Sequence, residues 1–78
     1  MPFGERLRQR REELHLSQRE LARRTGVPQS TLSELERGER RFLTPQMLRA
    51  LARTLGVTVD WLVGMYENDE EFVPAGVA

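Results

Sequence analysis

The stretch that most constrains the fold is Ser17–Gly38, SQRELARRTGVPQSTLSELERG, because it contains the signals of two short helices and a tight turn between them. Ser17 is followed three residues later by Glu20, which is the pattern of a capping box. In that arrangement the Ser17 hydroxyl accepts from the Glu20 backbone N–H, and the Glu20 carboxylate reaches back to the Ser17 N–H. A helix is therefore expected to begin at Gln18, and Gly26, which tolerates a positive φ, is expected to end it.

The turn after this helix, Gly26-Val27-Pro28, predicts a second helix from about Pro28 to Arg37. Pro28 suits the first turn of a helix, where a backbone N–H is not needed as a donor. Val27 is apolar in a connection that is otherwise polar. We therefore expect its side chain to pack into the core between the two helices.

The second predicted helix has an inward and an outward side. Leu32, Leu35 and Glu36 share the inward side at helical spacing. The outward side is polar and carries Gln29, Ser30, Ser33, Glu34 and Arg37. Such a row is consistent with an ordinary solvated surface. It also has the arrangement in which a helix-turn-helix offers side chains to the major groove of DNA, with Gln and Ser in the first turn after a short connection.

The chain resembles the Cro/repressor-type helix-turn-helix family, also called the XRE family. The resemblance rests on RLRQRREELHLSQRELARRTGVPQSTLSELERGER and on TPQMLRALARTLGVTVDWLVG, which together cover nearly all of residues 5–64. It implies an all-α, compact five-helix bundle, a lambda-repressor-like DNA-binding domain with the helix-turn-helix at helices 2 and 3. The expected domain is 1–66, and 67–78 is expected to be an acidic, mobile C-terminal tail.

The first helix is expected over residues 3–14, with an arginine on its apolar side. Phe3, Leu7 and Leu14 form one stripe, and Arg11 lies on that stripe. A partly buried charge needs a partner. Glu36 is on the inward side of the second motif helix, and the resemblance places such a pair at these two positions. We predict an Arg11–Glu36 salt bridge; the alternative is that both long side chains extend to water.

Two further helices are expected after the motif. The first has Thr44 as its cap, Pro45 at its first position and Gly56 after its end. Its apolar side carries Met47, Leu48, Leu51, Ala52 and Leu55. Thr58 is expected to cap a short fifth helix, Val59 to about Gly64, that closes the core with Val59, Leu62 and Val63. Trp61 falls off that side and is either a lid on the core or, with Met65 and Tyr66, part of a homodimer contact.

The resemblance also implies roles on double-stranded DNA. Bases would be contacted by Gln29, Ser30, Thr31 and Glu34, and the sugar–phosphate backbone by Ser17, Gln18, Arg37, Arg40 and Arg41. The last two lie in a loop where Phe42 and Leu43 are expected to be core anchors. Glu39 departs from the basic residue common in this loop. The implied function is a sequence-specific transcriptional regulator, a repressor that binds two half-sites as a dimer.

The composition restricts other classes of function. The chain has no cysteine and one histidine, His15, which we interpret as a helix-end residue, so no metal site or cofactor is expected. No glycine-rich phosphate loop or catalytic constellation is present, which argues against an enzyme. Neither a membrane span nor a signal peptide is visible, which predicts a soluble cytoplasmic protein.

The formal net charge of zero hides an asymmetry. All twelve arginines and seven glutamates precede Asp60, so residues 1–59 carry a net charge of +5, and the five later acids carry −5. This basic body favours a nucleic-acid partner. The acidic end, with Phe72 and Val73, suits a protein partner instead. The alternative function is therefore an antitoxin or another protein-binding module that also binds its own promoter.

Overall fold

The computed structural model describes residues 3–40, 42–59 and 61–62 of the 78-residue chain. These described residues form four helices: α1 (Phe3–Glu13), α2 (Gln18–Thr25), α3 (Gln29–Glu36) and α4 (Pro45–Leu55). The described residues contain no strand, which confirms the expected all-α class. Among those helices, none is long and apolar enough to cross a membrane.

Only part of the segment expected to form a fifth helix lies within the described residues. Trp61 and Leu62 are helical, and the Thr58 hydroxyl accepts from the Trp61 backbone N–H at 2.9 Å, as a cap does. Leu62 is fully buried. The remainder of that helix, to Gly64, and the acidic tail 67–78 lie outside the described residues.

Helix α1 ends one residue earlier than expected, in a turn built around His15. The His15 N–H donates to the Glu12 carbonyl at 2.9 Å and the Leu16 N–H to the Arg11 carbonyl at 3.1 Å. This is the Schellman pattern, which places the residue after the cap in the left-handed region. His15 adopts it with φ 58°. His15 therefore has a left-handed backbone conformation, which glycine adopts more readily than histidine.

We expect His15→Gly to raise the free energy of unfolding by roughly 0.5–1 kcal/mol, because relief of left-handed strain exceeds glycine's entropic cost in the unfolded chain. Thermal unfolding should show a midpoint higher by roughly 2–6 °C. The same substitution at the exposed helical residue Glu12 should lower the midpoint. A lower midpoint for His15→Gly as well would contradict this explanation of the turn.

Helix α2 begins and ends where the sequence predicts. The Ser17 hydroxyl accepts from the Glu20 N–H at 3.0 Å, and Gly26, with φ 77°, donates its N–H to the Ala22 carbonyl. The second expected hydrogen bond of the capping box, from the Ser17 N–H to the Glu20 carboxylate, is not formed, so that half of the prediction is wrong. The Glu20 carboxylate binds Arg23 and Arg24, at 3.1 Å to the Nε of each, because these arginines lie three and four residues along the same side of the helix.

Hydrogen bonds from Arg23 and then Arg24 lower the pKa of Glu20 from 4.5 to about 2. A carboxylate with a lower pKa in the folded state contributes stability above pH 4.5, which is lost as the pH falls towards 2. Carbon-13 NMR of the Glu20 carboxyl should show this midpoint near pH 2. In the Arg23→Ala, Arg24→Ala variant it should return towards 4.5. An unchanged midpoint in that variant would assign the shift to another cause.

The turn between α2 and α3 is fixed by the Thr25 side chain. Its hydroxyl donates to the Leu21 carbonyl at 2.7 Å and accepts from the Val27 N–H at 3.1 Å. Val27 is 2 % exposed, so it packs into the core as expected. Pro28 is the cap of α3 and not its first residue, with an extended ψ of 142°.

The core is made largely of leucine side chains between the helices. Helix α1 packs on α3, and α2 packs on both α3 and α4. The largest fully buried side chains are Leu7, Leu21, Val27, Leu32, Leu35, Leu43, Leu51, Leu55 and Leu62. Phe42 was expected to be a core anchor, but it is 55 % exposed; of these two residues, Leu43 is the one that anchors the loop, since it is 1 % exposed.

Candidate nucleic-acid interface

A buried ion pair joins α1 to the inward side of α3. Arg11 donates from Nε to Glu36 Oε2 at 2.7 Å and from Nη2 to Oε1 at 2.9 Å, which is a bidentate pair. The side chains are 11 % and 4 % exposed. This is the pair expected from the sequence.

Further contacts of this pair extend it to the start of α2. The remaining Arg11 nitrogen, Nη1, donates to the Leu16 carbonyl at 2.7 Å, and Gln18 Nε2 donates to Glu36 Oε1 at 3.2 Å. The hydrogen bonds from Arg11 to Glu36 raise the pKa of Arg11 against the opposing effect of burial. The network therefore fixes the position of α3 relative to α1 and α2.

The outward side of α3 begins with two exposed polar side chains, Gln29 and Ser30. Ser33 and Glu34, one turn further on, are partly exposed. Thr31 is different, since it is only 5 % exposed and lies in the core with Leu32. The expectation that Thr31 contacts bases is wrong, because its side chain points into the protein.

The cations at the end of α3 are paired with acids of the same surface. Arg37 donates from Nη1 to the Ser33 hydroxyl and from Nη2 to Glu39 Oε1, the latter at 2.9 Å. The contact with Glu39 raises the pKa of Arg37 and lowers that of Glu39. Arg40 Nε lies 3.3 Å from Glu34 Oε2. Arg41, also expected at the DNA backbone, lies outside the described residues.

A cleft of about 250 Å³ opens between α1, the start of α2 and the end of α3. It is lined by Arg8, Arg11, Gln18, Ser33, Glu36 and Arg37. Sequence reasoning missed Arg8, whose side chain is 64 % exposed and only loosely paired with Glu12 at 3.7 Å. The available signal was its position three residues before Arg11, on the same side of α1. The exposed Ser17 stands at the start of α2 beside this cleft, with its hydroxyl oxygen used as the helix cap.

Trp61 lies on another surface, where α1 meets the residues that follow the Thr58 cap. Its side chain is 41 % exposed, and the Arg6 guanidinium lies 5.5 Å from its ring centre. Arg6, Gln9, Arg10, Glu13, Val57 and Trp61 line a cleft there of about 370 Å³. Met65 and Tyr66, the other residues of the expected dimer contact, lie outside the described residues.

Comparison with known proteins agrees with this architecture. Residues 7–62 match the family model described as Helix-turn-helix. A transcriptional regulator of Rhodospirillum rubrum, uncharacterized and found in the ATPase CF(0) region, is 37 % identical over 67 residues. These are 86 % of this chain and 61 % of that protein, so the chain spans about three fifths of its relative.

Two solved structures are similar throughout most of the chain. One is SinR, a master regulator for biofilm formation, in complex with DNA. Its TM-score is 0.73 and its sequence is 36 % identical, and the match covers 78 % of this chain and 97 % of the SinR chain. The other is a chain of the SinR–SinI complex, with a TM-score of 0.75, 34 % identity, and coverage of 91 % and 67 %. The family model matches residues 7–62, which are more than half of this chain, so this protein belongs to the XRE-type helix-turn-helix family.

Proposed function

We propose that this chain is a sequence-specific DNA-binding transcriptional regulator that reads the major groove with α3. The observation that carries the proposal is the exposure of Gln29 and Ser30 at the start of a helix whose position is fixed by the buried Arg11–Glu36 pair. Recognition requires side chains held by a rigid support. The similarity to SinR, which was solved in complex with DNA, supports the same role here.

The roles of individual side chains follow from their chemistry. The Gln29 amide is suited to bind adenine through its N6 and N7 atoms, and the Ser30 hydroxyl to bond either to a base or to a phosphate. Glu34 would accept from cytosine N4, although its contact with Arg40 must then be exchanged. The three side chains together would set the sequence preference.

Backbone phosphates would bind around the cleft at the start of α2. The free N–H groups and the dipole of that helix, together with the Ser17 hydroxyl and Gln18, favour an anion. Arg8 and Arg37 bring two guanidinium groups to the same cleft. Arg40 and Arg41 would hold a second phosphate from the loop after α3.

A repressor of this kind would act in the cytoplasm as a two-fold dimer on two half-sites about one helical turn apart. We propose that the exposed Trp61, with Met65 and Tyr66, forms the contact between the two copies. Residues 1–66 would be the DNA-binding domain and 67–78 an appended tail. Sedimentation of the wild type and of Trp61→Ala tests the contact: a dimer for the first and a monomer for the second are expected.

Gln29→Ala tests the reading role of α3. We expect a loss of roughly 1–3 kcal/mol in binding to the duplex that the protein protects in its own promoter, and little change on random duplex. Gln9→Ala is a matched control, because Gln9 is exposed on α1 and is not among the residues proposed to contact DNA; since Gln9 borders the Trp61 cleft, sedimentation should first show that this variant is still a dimer. Fluorescence anisotropy at one fixed salt concentration measures both. Equal losses on the two duplexes would remove Gln29 from base recognition.

A second function, binding of a protein partner, is favoured by two observations. The similarity to a chain of the SinR–SinI complex extends over 91 % of this chain, and the exposed Trp61 borders a cleft away from α3. An antitoxin or similar module would bind the product of a neighbouring gene. Co-expression with that product should then give a complex that Trp61→Ala abolishes; no complex with any neighbour would count against it.

A further inference from the structure

We propose that Glu39 and Glu34 act as internal counter-ions that compete with DNA phosphates for Arg37 and Arg40. They would limit the affinity for duplex DNA of every sequence. The inference rests on the proposed function, since it concerns how strongly the same surface holds DNA.

The geometry shows that both arginines are already partnered in the absence of DNA. Arg37 Nη2 is 2.9 Å from Glu39 Oε1, with the two side chains 55 % and 57 % exposed. Arg40 Nε is 3.3 Å from Glu34 Oε2, with 37 % and 34 % exposed. Arg37 and Arg40, two of the cations expected to hold phosphates, are therefore each already paired with a nearby acid.

Because these two ion pairs are exposed to water, DNA phosphates can replace the carboxylates on their arginines. Ion pairs in contact with water are weak, because solvent screens the attraction and the side chains lose freedom in forming them. The Arg11–Glu36 pair is buried and bidentate, so it stays closed. An incoming phosphate can replace the carboxylate on Arg37 or Arg40, but the displaced acid remains next to the negatively charged backbone. Binding is weakened by that repulsion.

Replacing a counter-ion and replacing a base-reading residue have different effects on DNA binding. Removing a counter-ion raises the affinity for all duplexes by the same factor and leaves the preferred sequence unchanged. Removing a base contact changes the preference among sequences. Both roles are proposed for Glu34: tighter binding of Glu34→Gln to a random duplex would show the counter-ion role, and a changed preference among sequences would show the base contact.

The test uses Glu39→Gln and Glu34→Gln in the full chain, with binding to a random duplex measured across a series of salt concentrations. Each variant should bind about two- to fivefold more tightly at low salt. The slope of log affinity against log salt should steepen by up to about 0.9 for each, because a freed arginine displaces one more counter-ion from DNA. The double variant should show both increments.

Glu5→Gln is the control for the change in net charge, since Glu5 is exposed on α1 and lines neither cleft. It should change neither the affinity nor the slope. Weaker binding by Glu39→Gln would mean that Glu39 positions Arg37 and would overturn the inference. So would an equal gain for Glu5→Gln, which would show a general charge effect. If the wild type binds no duplex at any salt concentration, the proposed function falls as well; if it binds and the two variants are unchanged, only the counter-ion inference falls.

Discussion

Glu36→Ala should lower the free energy of unfolding by about 3–5 kcal/mol, because it leaves the Arg11 guanidinium buried without its carboxylate. Arg11 is 11 % exposed and would keep one hydrogen bond, from Nη1 to the Leu16 carbonyl. Gln18 would also lose its acceptor. A domain of this size has only several kcal/mol of stability, so we expect much of the variant to be unfolded at 37 °C. Urea unfolding followed by circular dichroism measures the loss.

Two comparisons separate the effect of burial from that of charge. Glu13→Ala breaks an exposed pair with Arg10 and should cost less than about 1 kcal/mol. Replacing both buried partners, as in Arg11→Met with Glu36→Leu, should recover most of the lost stability, since no unpaired charge remains. If Glu36→Ala costs no more than Glu13→Ala, the pair does not hold α1 against α3.

Gly4→Ala should be the second large effect, with a loss of roughly 2–3 kcal/mol. A Cβ atom at Gly4 would lie 2.4 Å from the Leu35 carbonyl oxygen and 2.6 Å from that of Glu36, both of them backbone atoms. Helix α1 would have to move away from the end of α3. The gain in helix propensity from alanine, about 1 kcal/mol, is smaller than this cost.

The adjacent position provides the control for Gly4. Glu5 is exposed on the same turn of α1, and Glu5→Ala should change stability by no more than about 0.5 kcal/mol. Thermal unfolding of both variants measures the contrast. A more stable Gly4→Ala protein would mean that α1 and α3 are not in close contact at this point.

The ends of α2 and α4 were predictable from the sequence because they depend on local chemistry. Ser17, Gly26, Thr44 and Gly56 each form the cap that their residue type favours. Gly4 gave no such signal, since its requirement comes from α3, far along the chain. The Glu20 carboxylate was misassigned because Arg23 and Arg24, on the same side of α2, offer it stronger partners than a backbone N–H.

The site was predictable in part, for reasons of the same kind. Helical spacing identified Gln29 and Ser30 as outward residues, and the need to pair a buried charge identified Arg11 with Glu36. Thr31 was expected to contact bases although it lies four residues before the inward Leu35, on the same side of α3, and it is buried. The partners of Arg37 and Arg40 depend on the path of the loop after α3, which the spacing of residues within a helix does not specify.

Selection of duplexes from a random pool tests the central claim, that α3 reads a DNA sequence, most directly. The protein should be incubated with the pool at near-physiological salt, and the bound duplexes sequenced after several rounds. We expect the wild type to enrich one motif, and we expect Gln29→Ala to select a motif in which the preference for adenine is weaker at the position that Gln29 reads. Binding that yields no enriched sequence from the folded wild type, or the same motif from wild type and Gln29→Ala, would contradict the claim.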